Sequence, residues 1–293
     1  MMLSAFIIAI ALGQAQVPIQ PSAQVPPRDR QTDDKMADEI VVKGYRNKPD
    51  VQTKTSPIYA GSSAARRQQY SMSERMAKCA ARSRLANTSY LSAVVDGEFN
   101  SAAQLYAQDH LYRIYITCGE SPSFLSLNSP PASAGAVGNG DFTTILPGRT
   151  DGAPLGHSIY DRGAFTIQAM KLYAPDLSLT AEQTSDPAVQ ARFDAREVPR
   201  NRFRLPADYK YFEIAVCIVR VAPRLSVRLA MSDGSAGIGD LQWALIDRAR
   251  VCVGNAREVR IDATEFRIYI ADAVYRWVVA ANGVKSLIPP KVK

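Results

Sequence analysis

Apolar residues recur at three- and four-residue steps along several stretches, and that spacing predicts helices. The clearest stretch is the last one. Phe266, Ile270, Ala273, Val274, Trp277 and Ala281 fall on one helical face. Asp262 or Thr264 is placed to cap its start, Asn282-Gly283 to stop it, and Pro289-Pro290 lies beyond. Residues Ser73 to Arg84, Ser101 to Tyr115, Phe165 to Tyr173 and Asp240 to Val253 read as helices in the same way. Ser71 or Ser73 is a candidate cap for the first of these, and Glu74 stands three residues after Ser71, the spacing of a capping box. Tyr211 to Val221 is β-branched, yet its place in the order of elements argues for a helix that Pro223 ends or kinks.

The pattern is different upstream. Leu3 to Leu12 is a short uncharged apolar run followed by Gly13 and Ala15, which reads as an export signal cleaved after Ala15 or Gly13. A buried N-terminal helix is the alternative. The run is too short to span a membrane permanently. Residues 16–70 are polar and Pro-rich with little to bury, so disorder is expected. Within them, Asp38-Glu39-Ile40-Val41-Val42-Lys43-Gly44-Tyr45-Arg46 has strand propensity but no neighbouring partner. An exposed strand of this kind can add to another protein's sheet edge, or serve as a small strand of the folded part. The segment resembles the N-terminal stretch of TonB-dependent outer-membrane receptors, with Lys43 where Thr is usual. That resemblance implies a Gram-negative envelope protein in which Glu39, Ile40, Val41 and Val42 dock on a periplasmic partner. Alternating ten-residue strands of a barrel are not visible, so transport is not implied.

From about Ser71 the chain reads as a duplication. With Cys79 laid on Cys217, Arg82 falls on Arg220 and Leu91 on Leu229. Asp96-Gly97 then lies within a residue of Asp233-Gly234. A second cysteine closes each segment, at Cys118 and Cys252, and a Tyr-ended helix follows at Tyr173 and Tyr275. This order resembles a group of secreted Gram-negative proteins with Cys-x-x-Arg…Cys segments, to which no activity attaches. An exported chain with four cysteines suggests disulfides, and the repeat favours Cys79–Cys118 and Cys217–Cys252. Each would close a loop contributing about 4 kcal/mol of chain entropy. No Cys-x-x-Cys knuckle is present, so a zinc site is not expected.

The expected architecture is therefore mainly α. Two related small helical halves are each closed by their own disulfide, with long irregular loops. The boundaries are a signal peptide at 1–15, a disordered segment at 16–70, a first repeat at 71–174 with an inserted loop at 121–160, a linker at 175–206, a second repeat at 207–281 and a tail at 282–293.

Composition sharpens the functional reading only in part. The net charge is +7, and residues 192–228 supply nine cations against four carboxylates, with Phe193, Phe203, Tyr209 and Tyr211 interleaved. In an envelope protein this makes Arg200, Arg202, Arg204 and Lys210 candidates for binding an anionic envelope polymer. A solvated linker with surface arginines is the plainer alternative, and nucleic acid is not expected outside the cytosol. Arg82 and Arg220 are candidates for structural bonds to helix ends. There are two histidines, His110 and His157. His157 with Ser158, Tyr160, Asp161 and Arg162 suggests a periplasmic hydrolase as the alternative function, though no Gly-x-Ser-x-Gly elbow accompanies it. Gly135-x-x-Gly138-x-Gly140 follows no evident strand and is not expected to cradle a phosphate. The leading expectation is an exported, non-enzymatic binding or structural component of the envelope, with no catalytic residues, no cofactor, no metal and no transmembrane span.

Overall fold

The computed structural model describes residues 39–43, 63–82, 88–116, 159–233, 238–253 and 258–290. Among them are ten helices and one two-stranded ribbon. The first helices are α1 (Ser63–Arg82), α2 (Thr88–Asp96), α3 (Ala102–Ile116) and α4 (Ile159–Tyr173). Next come α5 (Ala181–Ser185) and α6 (Pro187–Arg200). The last four are α7 (Pro206–Val221), α8 (Pro223–Met231), α9 (Ile238–Arg248) and α10 (Ala263–Asn282). Strand β1 (Glu39–Lys43) pairs antiparallel with β2 (Glu258–Asp262), Val41 opposite Arg260. None of these helices is long and apolar enough to cross a membrane.

Two helices form the axis of the core. Every residue of α10 from Ala263 to Ala280 is buried, as is every residue of α4 from Ile159 to Met170. A helix buried all round needs neighbours on every side. α10 packs against α4, α7, α8 and α6, while α4 also packs against α1 and α2. Where α4 meets α10 there is no room for a side chain at Gly163: a Cβ there would sit 2.5 Å from Ile268 Cγ2. The apolar core is one continuous cluster from Tyr70 to Ile288.

Local signals set several boundaries. Asp262 ends β2 and caps α10, its carboxylate accepting from the Thr264 and Glu265 amides. Gly283 stops the helix with φ +63, and Val284 N–H returns to Val279 O, the closure that favours glycine. Pro223 opens α8, with Ala222 alone between it and the end of α7.

Other boundaries differ from the sequence reading. α1 begins at Ser63, so Ser71 and Ser73 lie inside it and cap nothing. Ser73 instead donates to Asp161 of α4 at 2.6 Å. The expected helix from Asp240 to Val253 breaks into α9 and a 3₁₀ turn at Ala249–Cys252. The expected linker at 175–206 holds α5 and α6. There Thr180 and Gln183 form a capping box and Asp186 caps α6, and Phe193 is buried against α10. The expected tail folds back, with Ile288 buried. One core replaces the two small ones anticipated. Most of the inserted loop, with the Gly-rich run, His157 and Ser158, lies outside the described residues, and Ile159 and Tyr160 already belong to α4.

Candidate binding cleft between α6 and α7

Four-residue steps build the two walls of a cleft. On α6 and the turn after it, Phe193, Glu197 and Asn201 succeed one another, with Asp194 and Val198 beside them. On α7 the series is Tyr209, Phe212 with Glu213, Val216 with Cys217, and Arg220. Trp277 of α10 lies between the walls, stacked on Phe193 with ring centroids 4.4 Å apart, its indole N–H donating to Val216 O at 3.2 Å. The space enclosed is about 310 Å³, at the small end of ligand sites.

The lining is amphipathic. Phe193, Phe212, Val216 and Trp277 supply apolar surface, while Asp194, Glu197 and Glu213 are set against the single cation Arg220. Burial, and then Glu213 beside it, raises the Tyr209 phenol above its ordinary value. Two acceptors stand out. Asn201 Oδ1 and Glu197 Oε1 are buried and make no hydrogen bond, although their residues are only 8% and 5% exposed. The other end of each side chain is occupied: Asn201 Nδ2 donates to Glu197 O at 2.7 Å and Oε2 at 3.2 Å.

Behind the cleft lies a buried charge network. Asp272 accepts from Arg204 at 2.8 Å and from Arg276 at 3.1 Å, and Arg200 pairs with Glu197 at 3.2 Å. Burial would raise the Asp272 carboxyl, but Arg276, Arg204 and Arg200 outweigh it and hold it well below the usual range. Arg200 is pushed down to about 9 by burial and then by neighbouring Arg276. Burial also opposes the Arg204 charge, but Asp208 and Asp272 beside it win and raise it. Arg200 and Arg276 both donate to the last carbonyls of α2, Arg200 reaching Asp96 O at 3.2 Å, where a helix C-terminus favours cations. The Phe99 ring lies under Arg204, Arg200 and Arg162 at 3.6, 4.3 and 4.8 Å. Asn100, at φ +57, holds the α2–α3 turn by accepting from Arg162 at 2.7 Å. A cavity of about 20 Å³ between Arg162, Arg204, Asp208 and Asp272 has room for one water molecule.

These positions correct the anion-site expectation. Arg200 and Arg204 are only 3% and 7% exposed and already paired, because the end of α6 and the turn after it send them inward onto α2 and α10. Arg202 and Lys210 stay exposed, and Arg202 pairs with Glu98 at 2.7 Å. The four cations do not form one surface. Arg82 and Arg220 are exposed on the last turns of α1 and α7. Cys217 is bonded to Cys252, tying α7 to the 3₁₀ turn across 35 residues. Cys79 sits half-buried on α1, and its expected partner Cys118 lies outside the described residues. Glu39 to Val42 are paired with β2 along the backbone.

Asp161 takes the Ser73 hydroxyl, Arg162 faces Asn100 and Asp208, and Tyr160 donates to Glu265 at 2.9 Å. Burial and then Glu265 push the Tyr160 phenol far upward. His110 stacks on Tyr90 with centroids 3.9 Å apart. No group of three or more His, Cys, Asp or Glu among the described residues is placed to hold a metal ion. Sequence reasoning missed Glu197, Asn201 and the Phe193–Trp277 pair. The four-residue rhythm of α6 was the available signal, hidden by reading that stretch as linker.

In comparisons with known proteins, no family model, no curated protein and no solved structure matches this chain.

Proposed function

We propose that the chain is an exported, disulfide-closed helical protein of the bacterial envelope that acts by binding, with the α6–α7 cleft as its ligand site. The observation that carries this reading is the Cys217–Cys252 bond. Cys217 lines the cleft, so one wall is fixed by a bond that persists in oxidising compartments. The apolar run Leu3 to Leu12 supplies the matching export signal.

Duplication accounts for the architecture. α1 to α4 and α7 to α10 follow one order: a long helix, a nine-residue helix, an intermediate one and a buried one. In the Cys79-on-Cys217 register, Ala77 and Ala215 are both buried, as are Leu91 and Leu229. Arg66 falls on Arg204 in this register, and both are buried and paired with a carboxylate. The insert α5–α6 between the copies supplies the cleft wall that the first copy lacks.

Expression of the full chain in a Gram-negative host, followed by fractionation and a non-reducing peptide map, tests the reading. A periplasmic product that starts after Gly13 or Ala15 and contains a Cys217–Cys252 peptide is expected. A cytosolic product that retains Met1 and titrates as four thiols overturns it.

A further inference from the structure

The outward face of α8 carries charge and apolar surface together. Its buried residues are Pro223, Ser226, Leu229 and Ala230, and it packs on α10, α9 and α7. Arg224, Val227, Arg228 and Met231 form the other stripe, three and four residues apart. Both arginines are exposed there, and the two apolar side chains are half-buried. Arg220 and Val221, which end α7, are exposed as well, Val221 at 41%. α5 packs against both helices, and its Thr184 hydroxyl donates to Arg220 O at 3.1 Å.

These cations are not neutralised from within. Among the described residues, the guanidinium groups of Arg220, Arg224 and Arg228 make no hydrogen bond and no ion pair. Elsewhere on the surface Lys78, Arg202 and Arg250 meet carboxylates at 3.8, 2.7 and 3.4 Å. Three carboxylates lie on neighbouring segments. Glu182 of α5 is held below its ordinary value by its own backbone amide, then by the Thr180 side chain and last by Arg224. Asp233, past the end of α8, is taken by Lys171 at 2.6 Å. Glu213 stands two turns before Arg220 on α7, about 10 Å along the axis. The charge left over is positive.

We propose that this face docks on an anionic phospholipid bilayer. α8 lies in the plane of the head groups, its arginines on phosphates and Val221, Val227 and Met231 toward the acyl boundary. A hydrophilic polyanion would use the three cations and gain nothing from the apolar side chains between them. The docking face stands apart from the cleft and does not require it to be occupied.

The test is co-sedimentation of the full chain with vesicles of phosphatidylglycerol and phosphatidylcholine in equal parts, against phosphatidylcholine alone. The Leu3–Leu12 run is present in every sample, so differences between variants report the docking face. Each cation at an anionic surface strengthens binding about fivefold, so the Arg220→Gln, Arg224→Gln, Arg228→Gln variant is expected to bind anionic vesicles weaker by roughly tenfold or more. Its melting temperature should not change, because the three side chains are exposed and unpaired. Arg82→Gln, Lys210→Gln, Lys285→Gln removes the same charge from exposed positions elsewhere and should weaken binding by less than about threefold. Val221→Asn should weaken vesicle binding about threefold and leave retention on dextran sulfate unchanged. Equal losses in the two triple variants would reduce the effect to net charge and overturn the site. A wild type that does not prefer anionic to neutral vesicles overturns the membrane assignment. Dextran sulfate binding that the first triple variant abolishes, with vesicle binding intact, overturns it in favour of a polymer.

Discussion

At Tyr70 one hydroxyl carries a measurable penalty. The side chain is buried in the core, its oxygen makes no hydrogen bond, and Arg267 lies over the ring at 5.8 Å. Burial pushes the phenol up to about 12, against the pull of Arg267. A folded-state value above the unfolded one gives stability that is fully present below about 10 and lost as pH rises from there through about 12. Tyr70→Phe keeps the ring and removes the orphan oxygen. It is expected to raise stability by about 1 kcal/mol at neutral pH. It should also flatten the fall in stability between roughly pH 10 and 12 by the share of one titrating group. Urea unfolding of both forms across that range checks both parts. An unchanged alkaline slope would show that Tyr70 ionises no differently in the folded protein. Tyr275 is also pushed up to about 12 by burial and then Asp96, so some alkaline sensitivity remains in the variant.

Among the elements, the α4–α10 crossing decides most. The two helices approach closely because Gly163 offers no side chain to Ile268. Gly163→Ala inserts a methyl at 2.5 Å from Ile268 Cγ2, and alanine's better helix propensity does not compensate for separating two buried helices. A loss of about 1–3 kcal/mol in denaturant unfolding is expected. Ile268→Ala in the Gly163→Ala background should cost less than it does alone, since it removes the clashing branch. Additive costs would show that the crossing had relaxed elsewhere. The ribbon is the other informative element. Ile40 to Val42 were legible as a strand from β-branched propensity. That Glu258 to Asp262 is its partner was not legible, because the two segments lie more than two hundred residues apart and nothing local couples them.

For the molecule as a whole, the early and the late helices share one core. α4 and α10 pack on each other in one core, and Arg200, Arg204 and Arg276 tie the α2–α3 turn to α6, α7 and α10. The described residues, from Glu39 on, belong to one compact unit. Chemical denaturation is therefore expected to show a single transition, the same by tryptophan fluorescence and by circular dichroism. Reduction of Cys217–Cys252 should shift that transition to lower denaturant by about 4 kcal/mol without splitting it. Two resolved transitions would mean that the halves unfold separately.

The helices, their caps and their stops were written locally. Asp262, Gly283 and Pro223 act on their own few residues, so their effects were readable in order along the chain. What tertiary structure alone decided is which charges see water. Arg200, Arg202 and Arg204 are one run of alternating arginines in sequence, yet the end of α6 and the turn after it send the first and third inward to Glu197 and Asp272 and leave the second in solvent. Charge is a property of a residue. Its partner, its burial and therefore its role belong to elements brought together from distant parts of the chain, and that is why the basic stretch looked like a surface and folded as a core.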